Sequence, residues 1–169
     1  MGEDRDGAFT EWAQRTAQQL RGTAYLLCGD WHTADDVVQD ALVRVYERWH
    51  RIRPEAATSY ARRVVATAAV DRSRRPWRRE VPSEVLPDRP SGAPDDGPDY
   101  DVVSALAELP ARQRAVLVLR FFDDLSVDDT ARVLGITPGT VKSSTSRGLD
   151  RLRELMRTPV LAGLDEEKP

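Results

Sequence analysis

Five prolines fall within the 22 residues from Glu80 to Asp101, EVPSEVLPDRPSGAPDDGPDYD, and they decide how the chain can be organised. Pro82, Pro87, Pro90, Pro94 and Pro98 each lack the backbone donor that a helix interior or a central strand needs, and no apolar period of 2 or 3.6 runs through them. No regular element can cross this stretch. The 169 residues, enough for one mid-sized domain or two small ones, therefore divide into bodies near 1–79 and 102–157, with 80–101 as a flexible acidic linker and 158–169 as a disordered tail. Proline and like-charge repulsion hold the linker extended, and residues 80–103 could bridge roughly 80 Å at ~3.3 Å each. A loop with no spacing role is the alternative.

Several function classes are excluded early. No apolar run approaches the roughly 20 residues that span a bilayer, so membrane insertion is not expected. The amino terminus, MGEDRDGAFT, is acidic where a secretory signal is basic and then apolar, which predicts a cytoplasmic protein. The single cysteine, Cys28, cannot form an internal disulfide, and with His32 and His50 it cannot complete a four-ligand metal site. No phosphate-cradling glycine loop and no Ser-His-Asp order is present. The pairs Asp35–Asp36, Asp123–Asp124 and Asp128–Asp129 read as surface or capping acids. The expectation is a non-enzyme with no catalytic residues, no metal, no cofactor and no small-molecule substrate.

The net charge of −3 conceals segregation. Residues 1–43 hold 3 basic and 8 acidic groups, whereas 44–79 hold 11 arginines against Glu47, Glu55 and Asp71. A run of that density displaces counterions from phosphates, and Tyr60 and Trp77 beside it offer faces for unpaired bases.

Periodicity predicts helices throughout, an all-α fold. Phe9, Trp12, Ala13, Ala17, Leu20, Ala24 and Leu27 share a face over 8–28, which Gly29 ends in a left-handed turn. Thr33 to Asp36 reads as a capping box opening a second helix, with Val37, Val38, Ala41, Leu42, Val45 and Tyr46 inward. Its opposite face, with Asp36, Gln39, Asp40, Val43 and Glu47, is either solvated surface or a dock for a basic partner. A third helix covers 58–75, after Pro54 and before Pro76. Beyond the linker, segments 102–108, 111–122 and 127–134 are helical.

The most specific pattern begins at Ser126. Ser126 to Asp129 is a capping box, Gly135 makes a turn, Ile136 plugs the core, Thr137 caps, and Pro138 takes the first position of a new helix. This is a helix-turn-helix. Val141 packs inward, leaving Gly139, Thr140, Lys142, Ser143, Ser144, Ser146 and Arg147 on turns that can enter a major groove, with Arg151, Arg153 and Arg157 towards phosphates.

This order of acidic helix, arginine-rich helix, acidic linker and helix-turn-helix resembles the extracytoplasmic-function (ECF) sigma factors of bacterial RNA polymerase. The resemblance covers 8–157. DDVVQDALVRVY (35–46) is similar to the family's core-binding helix, LPARQRAVLVLRF (109–121) and the helix-turn-helix to its minus-thirty-five reader. VKSSTSRG (141–148) with RRPWRREVP (74–82) is most similar to the actinobacterial sigma-E-like branch. The resemblance implies a region 2 domain of three to four helices and a region 4 helix-turn-helix domain. It implies that Asp36, Gln39, Asp40 and Arg44 meet the largest subunits of core polymerase, and that Trp49, Tyr60, Arg62, Arg63, Thr67, Asp71, Arg74 and Arg75 open and hold the minus-ten element. Thr137, Gly139, Thr140, Lys142, Ser143, Ser144, Ser146, Arg147 and Arg151 would read the minus-thirty-five element. Promoter DNA and core polymerase are the implied partners, an anti-sigma factor a further one, and the nucleoid the implied location. Thr67 stands where the family usually has Asn, and Ser144 where Arg or Gln is common, which leaves the base preference at both positions open. The rival reading is a stand-alone helix-turn-helix regulator binding duplex as a dimer, which leaves residues 1–79 without a role.

Overall fold

The computed structural model describes residues 2–73 and 100–157. Seven α-helices account for most of them: α1 (Gly2–Cys28), α2 (Trp31–Arg48), α3 (Pro54–Ser73), α4 (Tyr100–Ala107), α5 (Ala111–Leu117), α6 (Val127–Leu134) and α7 (Pro138–Arg157). The acidic linker and the tail, with Arg74, Arg75 and Trp77, lie outside the described residues.

Helices α1, α2 and α3 pack together as the first body. Trp12 and Leu20 are buried on α1, Val37, Ala41 and Val45 on α2, and Ala61 and Val65 on α3. Small alanines at contact positions let the axes approach closely, and an indole bond fixes their register: Trp12 Nε1 donates to Thr58 Oγ1 at 3.1 Å. Gly29 ends α1 at φ +82°, as expected of a glycine stop.

The start of α2 corrects the sequence reading. Asp30, extended at φ −141°, is the N-cap, and its carboxylate accepts from the Thr33 N–H at 2.7 Å. The expected box at Thr33 lies inside the first turn instead. Asp caps at least as well as Thr, and the earlier start lets Trp31 stack on Tyr25, with centroids 3.9 Å apart and planes within 3°. Helix α3 likewise begins earlier than expected, with Pro54 at its first position.

In the second half, the expected helix 111–122 is divided. After Leu117 the backbone widens into a π-helical turn, Val118–Phe122, and the Asp123 N–H reaches the Val118 carbonyl at 3.1 Å, five residues back. Such a turn rotates the downstream backbone by about one residue. It leaves Phe121 and Phe122 exposed and aims Asp123 inward. Asp123 is thus no surface acid: its side chain is 0% exposed, whereas its neighbour Asp124 turns to solvent at φ +52°.

The two halves, expected as separate bodies, lie against each other. One apolar cluster runs from Trp12, Leu27 and Val65 through Leu106, Leu117 and Leu119. Helix α3 packs on α5 and α6, and α1 on α4, α5 and the π-turn. Arg114 crosses the seam, donating from Nη1 to the Leu27 carbonyl at 2.7 Å and from Nη2 to those of Ala107 and Leu109 at 3.1 and 3.2 Å. Burial lowers its pKa, with nearby Cys28 and Glu108 acting oppositely.

Candidate nucleic-acid and docking surfaces

The helix-turn-helix is built from local bonds. Ser126 Oγ accepts from the Asp129 N–H at 3.0 Å and donates to Asp129 Oδ2 at 2.7 Å, and this second bond holds the exposed Asp129 carboxyl below its usual range. Gly135 closes α6 at φ +64°, and the Ile136 N–H returns to the Ala131 carbonyl at 3.0 Å. Thr137 Oγ1 then accepts from the Thr140 N–H at 3.2 Å, capping α7. Val141 is fully buried against Val116 and Ala131. That contact fixes the rotation of α7 and turns Gly139, Lys142, Ser143, Ser146, Arg147 and Arg151 outward, with Thr140 and Ser144 half-exposed. Among the described residues Lys142 and Arg147 have no ion-pair partner, whereas Arg151 and Arg153 are paired with Glu154 and Asp150 at 3.1 and 3.0 Å.

On α2 the expected polar face is exposed: Asp36, Gln39, Asp40, Arg44 and Glu47 all reach solvent. Val43, 56% exposed, adds apolar area to it, and so does Tyr46, which was expected inward but is 46% exposed, its hydroxyl donating to Asp6 Oδ1 at 3.1 Å. Such a mixture suits a protein partner better than water alone. Asp35 belongs elsewhere, paired bidentately with Arg21, whose guanidinium lies 4.9 Å over Trp31.

The residues expected at unpaired DNA separate into groups. Tyr60, Arg63, Thr67 and Asp71 recur at three and four residues along α3 and form one stripe, with Tyr60 half-exposed and the rest exposed. Arg48 covers Tyr60, its Nη1 donating to the phenol oxygen at 2.6 Å. Trp49 is half-buried, 5.4 Å from the rings of both Phe9 and Trp12. Arg62 is turned away from the stripe, its side chain only 13% exposed and its Nε 3.5 Å from Asp123 Oδ2. Sequence reasoning missed that pairing together with Gln19 and Thr23, which complete it. No local pattern marks an Asp in a doublet as the buried one.

The helices of the described residues and their capped helix-turn-helix, with a small, basic leading turn left open to solvent, define a DNA-binding transcription protein. The family described as Sigma-70 region 2 matches residues 6–79, and Sigma-70, region 4 matches 100–152. The chain is 36% identical over 160 residues to an RNA polymerase sigma-E factor of Streptomyces coelicolor, covering 91% of this chain and 88% of that protein. It is 39% identical over 153 residues to a sigma-E factor of Streptomyces antibioticus, covering 89% and 85%. The fold is that of RpoE in its complex with NepR from Bartonella quintana, with a TM-score of 0.71 and 24% identity over 89% of this chain and 98% of that one. CnrH, solved with the cytosolic domain of CnrY, superposes at 0.66 with 23% identity, over 89% and 88%. The chain belongs to the sigma-70 family as an ECF RNA polymerase sigma factor of the actinobacterial sigma-E-like branch.

Proposed function

We propose that this sigma factor divides promoter recognition among three surfaces, as the resemblance implied. The α2 face of Asp36, Gln39, Asp40 and Arg44 seats the chain on core polymerase, with Val43 and Tyr46 adding apolar contact. The leading turns of α7, from Thr137 to Arg151, read duplex at the minus-thirty-five element: Lys142 and Arg147 are uncommitted cations, and the small residues around them permit close approach to base edges. The stripe Tyr60–Arg63–Thr67–Asp71, together with Arg74 and Arg75 next in the sequence, holds the unpaired strand of the minus-ten element. Region 2 is taken as 1–79 and region 4 as 102–157.

The observation that carries this reading is an exposed acidic docking face in the same chain as a basic reading helix. Core polymerase and promoter DNA are the partners, no bond is made or broken by the chain, and it works in the cytoplasm at the nucleoid. A net charge of −3 limits non-specific DNA binding by the free chain, so tight promoter binding comes from assembly. RpoE of Bartonella quintana was solved in complex with the anti-sigma factor NepR, which supports an inhibitor of that kind as a further partner.

Runoff transcription from a sigma-E-type promoter, with core enzyme alone and with the chain added, tests the proposal. Promoter-dependent product only in the second reaction is expected. A stand-alone regulator would leave the two reactions equal and would shift a palindromic duplex without polymerase.

A further inference from the structure

Arg48 is the last residue of α2, and its side chain reaches across to α3. The Arg48 carbonyl accepts from the N–H groups of Arg51 and Ile52 at 2.8 and 3.0 Å, which fixes the backbone from which the side chain leaves. At the far end, Nη1 donates to the Tyr60 hydroxyl at 2.6 Å and the guanidinium carbon lies 5.2 Å from the centre of the Tyr60 ring. Both ends of the residue are tethered, yet it remains exposed. On spacing alone Arg48 extends the docking face of α2, four residues after Arg44 and eight after Asp40. The bond to Tyr60 carries its guanidinium to the α3 stripe instead.

The end of α2 and the turn after it carry three exposed arginines, Arg48, Arg51 and Arg53, and only the first is held in place. Among the described residues Arg51 and Arg53 have no side-chain bond, and Arg48 has no carboxylate partner. A phosphate asks mainly for charge nearby, which an untethered arginine supplies, whereas contact with a base depends on direction. Tyr60 takes one of the five N–H donors of the guanidinium and leaves four. A guanidinium resting on an aromatic ring is also a surface on which an unpaired base stacks.

We propose that Arg48 contacts an unpaired base of the minus-ten element and that Tyr60 positions it for that contact. The base lies at the Tyr60 end of the stripe, about 17 Å along α3 from Asp71 at ~1.5 Å per residue. Tyr60 then acts through its hydroxyl, because the guanidinium above its ring is the surface a base meets first. The inference rests on the promoter reading proposed above and adds a residue to it.

Holoenzyme reconstituted with core polymerase tests it on a fluorescent non-template oligonucleotide that spans the minus-ten element of the promoter used for runoff transcription. Each base of the oligonucleotide is removed in turn to leave an abasic site. Arg48→Ala and Arg48→Lys should both bind the intact strand about tenfold more weakly than wild type, since lysine keeps the charge but not the planar fork. One abasic position that costs wild type about tenfold should cost these variants nothing, while the other positions keep their effect. Tyr60→Phe, which keeps the ring and removes the anchoring hydroxyl, should lose about threefold, and nothing further in the Arg48→Ala background. Core binding should match wild type throughout. Full binding by Arg48→Lys, or an unchanged abasic profile in Arg48→Ala, would make Arg48 a phosphate contact or a structural tie and overturn the base assignment. Lost core binding would return Arg48 to the docking face, and additive losses in the double variant would remove the positioning role of Tyr60. Should Arg48→Ala lose helical content by circular dichroism, Arg48→Lys and Tyr60→Phe decide. Wild type separates the two claims: if it neither binds the intact strand nor supports runoff transcription, the promoter reading falls, and if it does both while Arg48→Ala behaves identically, only the role of Arg48 falls.

Discussion

Gly148 on α7 lies directly on Leu117 at the end of α5, and a Cβ at that glycine would come within 3.1 Å of Leu117 Cδ1. The contact sets how closely α7 approaches α5. Leu117 is itself only 4% exposed, so it has little room to yield.

Gly148→Val should therefore overpack the contact and destabilise the second body by about 1–3 kcal/mol. Helix propensity works the other way, since glycine is the poorer helix former, but by less than about 1 kcal/mol. Urea titration followed by circular dichroism measures the difference; a midpoint at or above the wild-type value would mean that the helices separate freely.

Replacing Asp36 and Asp40 together by Lys reverses charge on an exposed face without touching the buried Val37 and Ala41. Co-purification with core polymerase should be lost while helical content stays the same. Retained binding would place the dock elsewhere on the chain.

Arg147→Ala removes an exposed cation that has no partner among the described residues. If Arg147 reads a base, duplex affinity should fall by about 1–3 kcal/mol on the preferred sequence and by less on others. Uniform loss across sequences, with a shallower salt dependence, would make it a phosphate contact. Fluorescence anisotropy of the holoenzyme on matched and scrambled duplexes distinguishes the two.

Burial raises the Asp123 carboxyl above its ordinary 3.8, against the opposing influence of Arg62, Thr23 and Gln19. The native chain thus binds this proton more firmly than the unfolded chain does. Stability from this group accordingly grows as pH falls through the raised value, levels off below the ordinary one, and is absent above both. Asp123→Asn removes the titration while keeping an acceptor oxygen. The melting temperature of wild type relative to Asp123→Asn should rise on going from about pH 7 to about pH 4. Parallel curves would show that the carboxylate is solvated in solution.

The features legible in the sequence are those whose causes lie within four residues along the chain. The Ser126–Asp129 box, the Gly29 and Gly135 stops, the Thr137 cap and the inward Val141 all depend on neighbours one helical turn away, and all occur as expected. The α2 start shows the edge of that reach. Asp30 and Thr33 are both competent caps, and the choice was made by Trp31 stacking on Tyr25, six residues before it in the chain.

By itself, then, the amino-acid order determined the presence of the helices, the stops and caps of the helix-turn-helix, most of the outward faces of α2 and α7, and the family, because periodicity and capping are local. The tertiary structure alone decided that Arg62 turns from the α3 stripe to Asp123, that the π-turn buries this one acid of a doublet, and that the two bodies share a seam. The Thr23–Asp123 contact joins residues 100 apart. Its hydrogen bonds offset the cost of burying a carboxylate, at a surface that exists only after both bodies have folded.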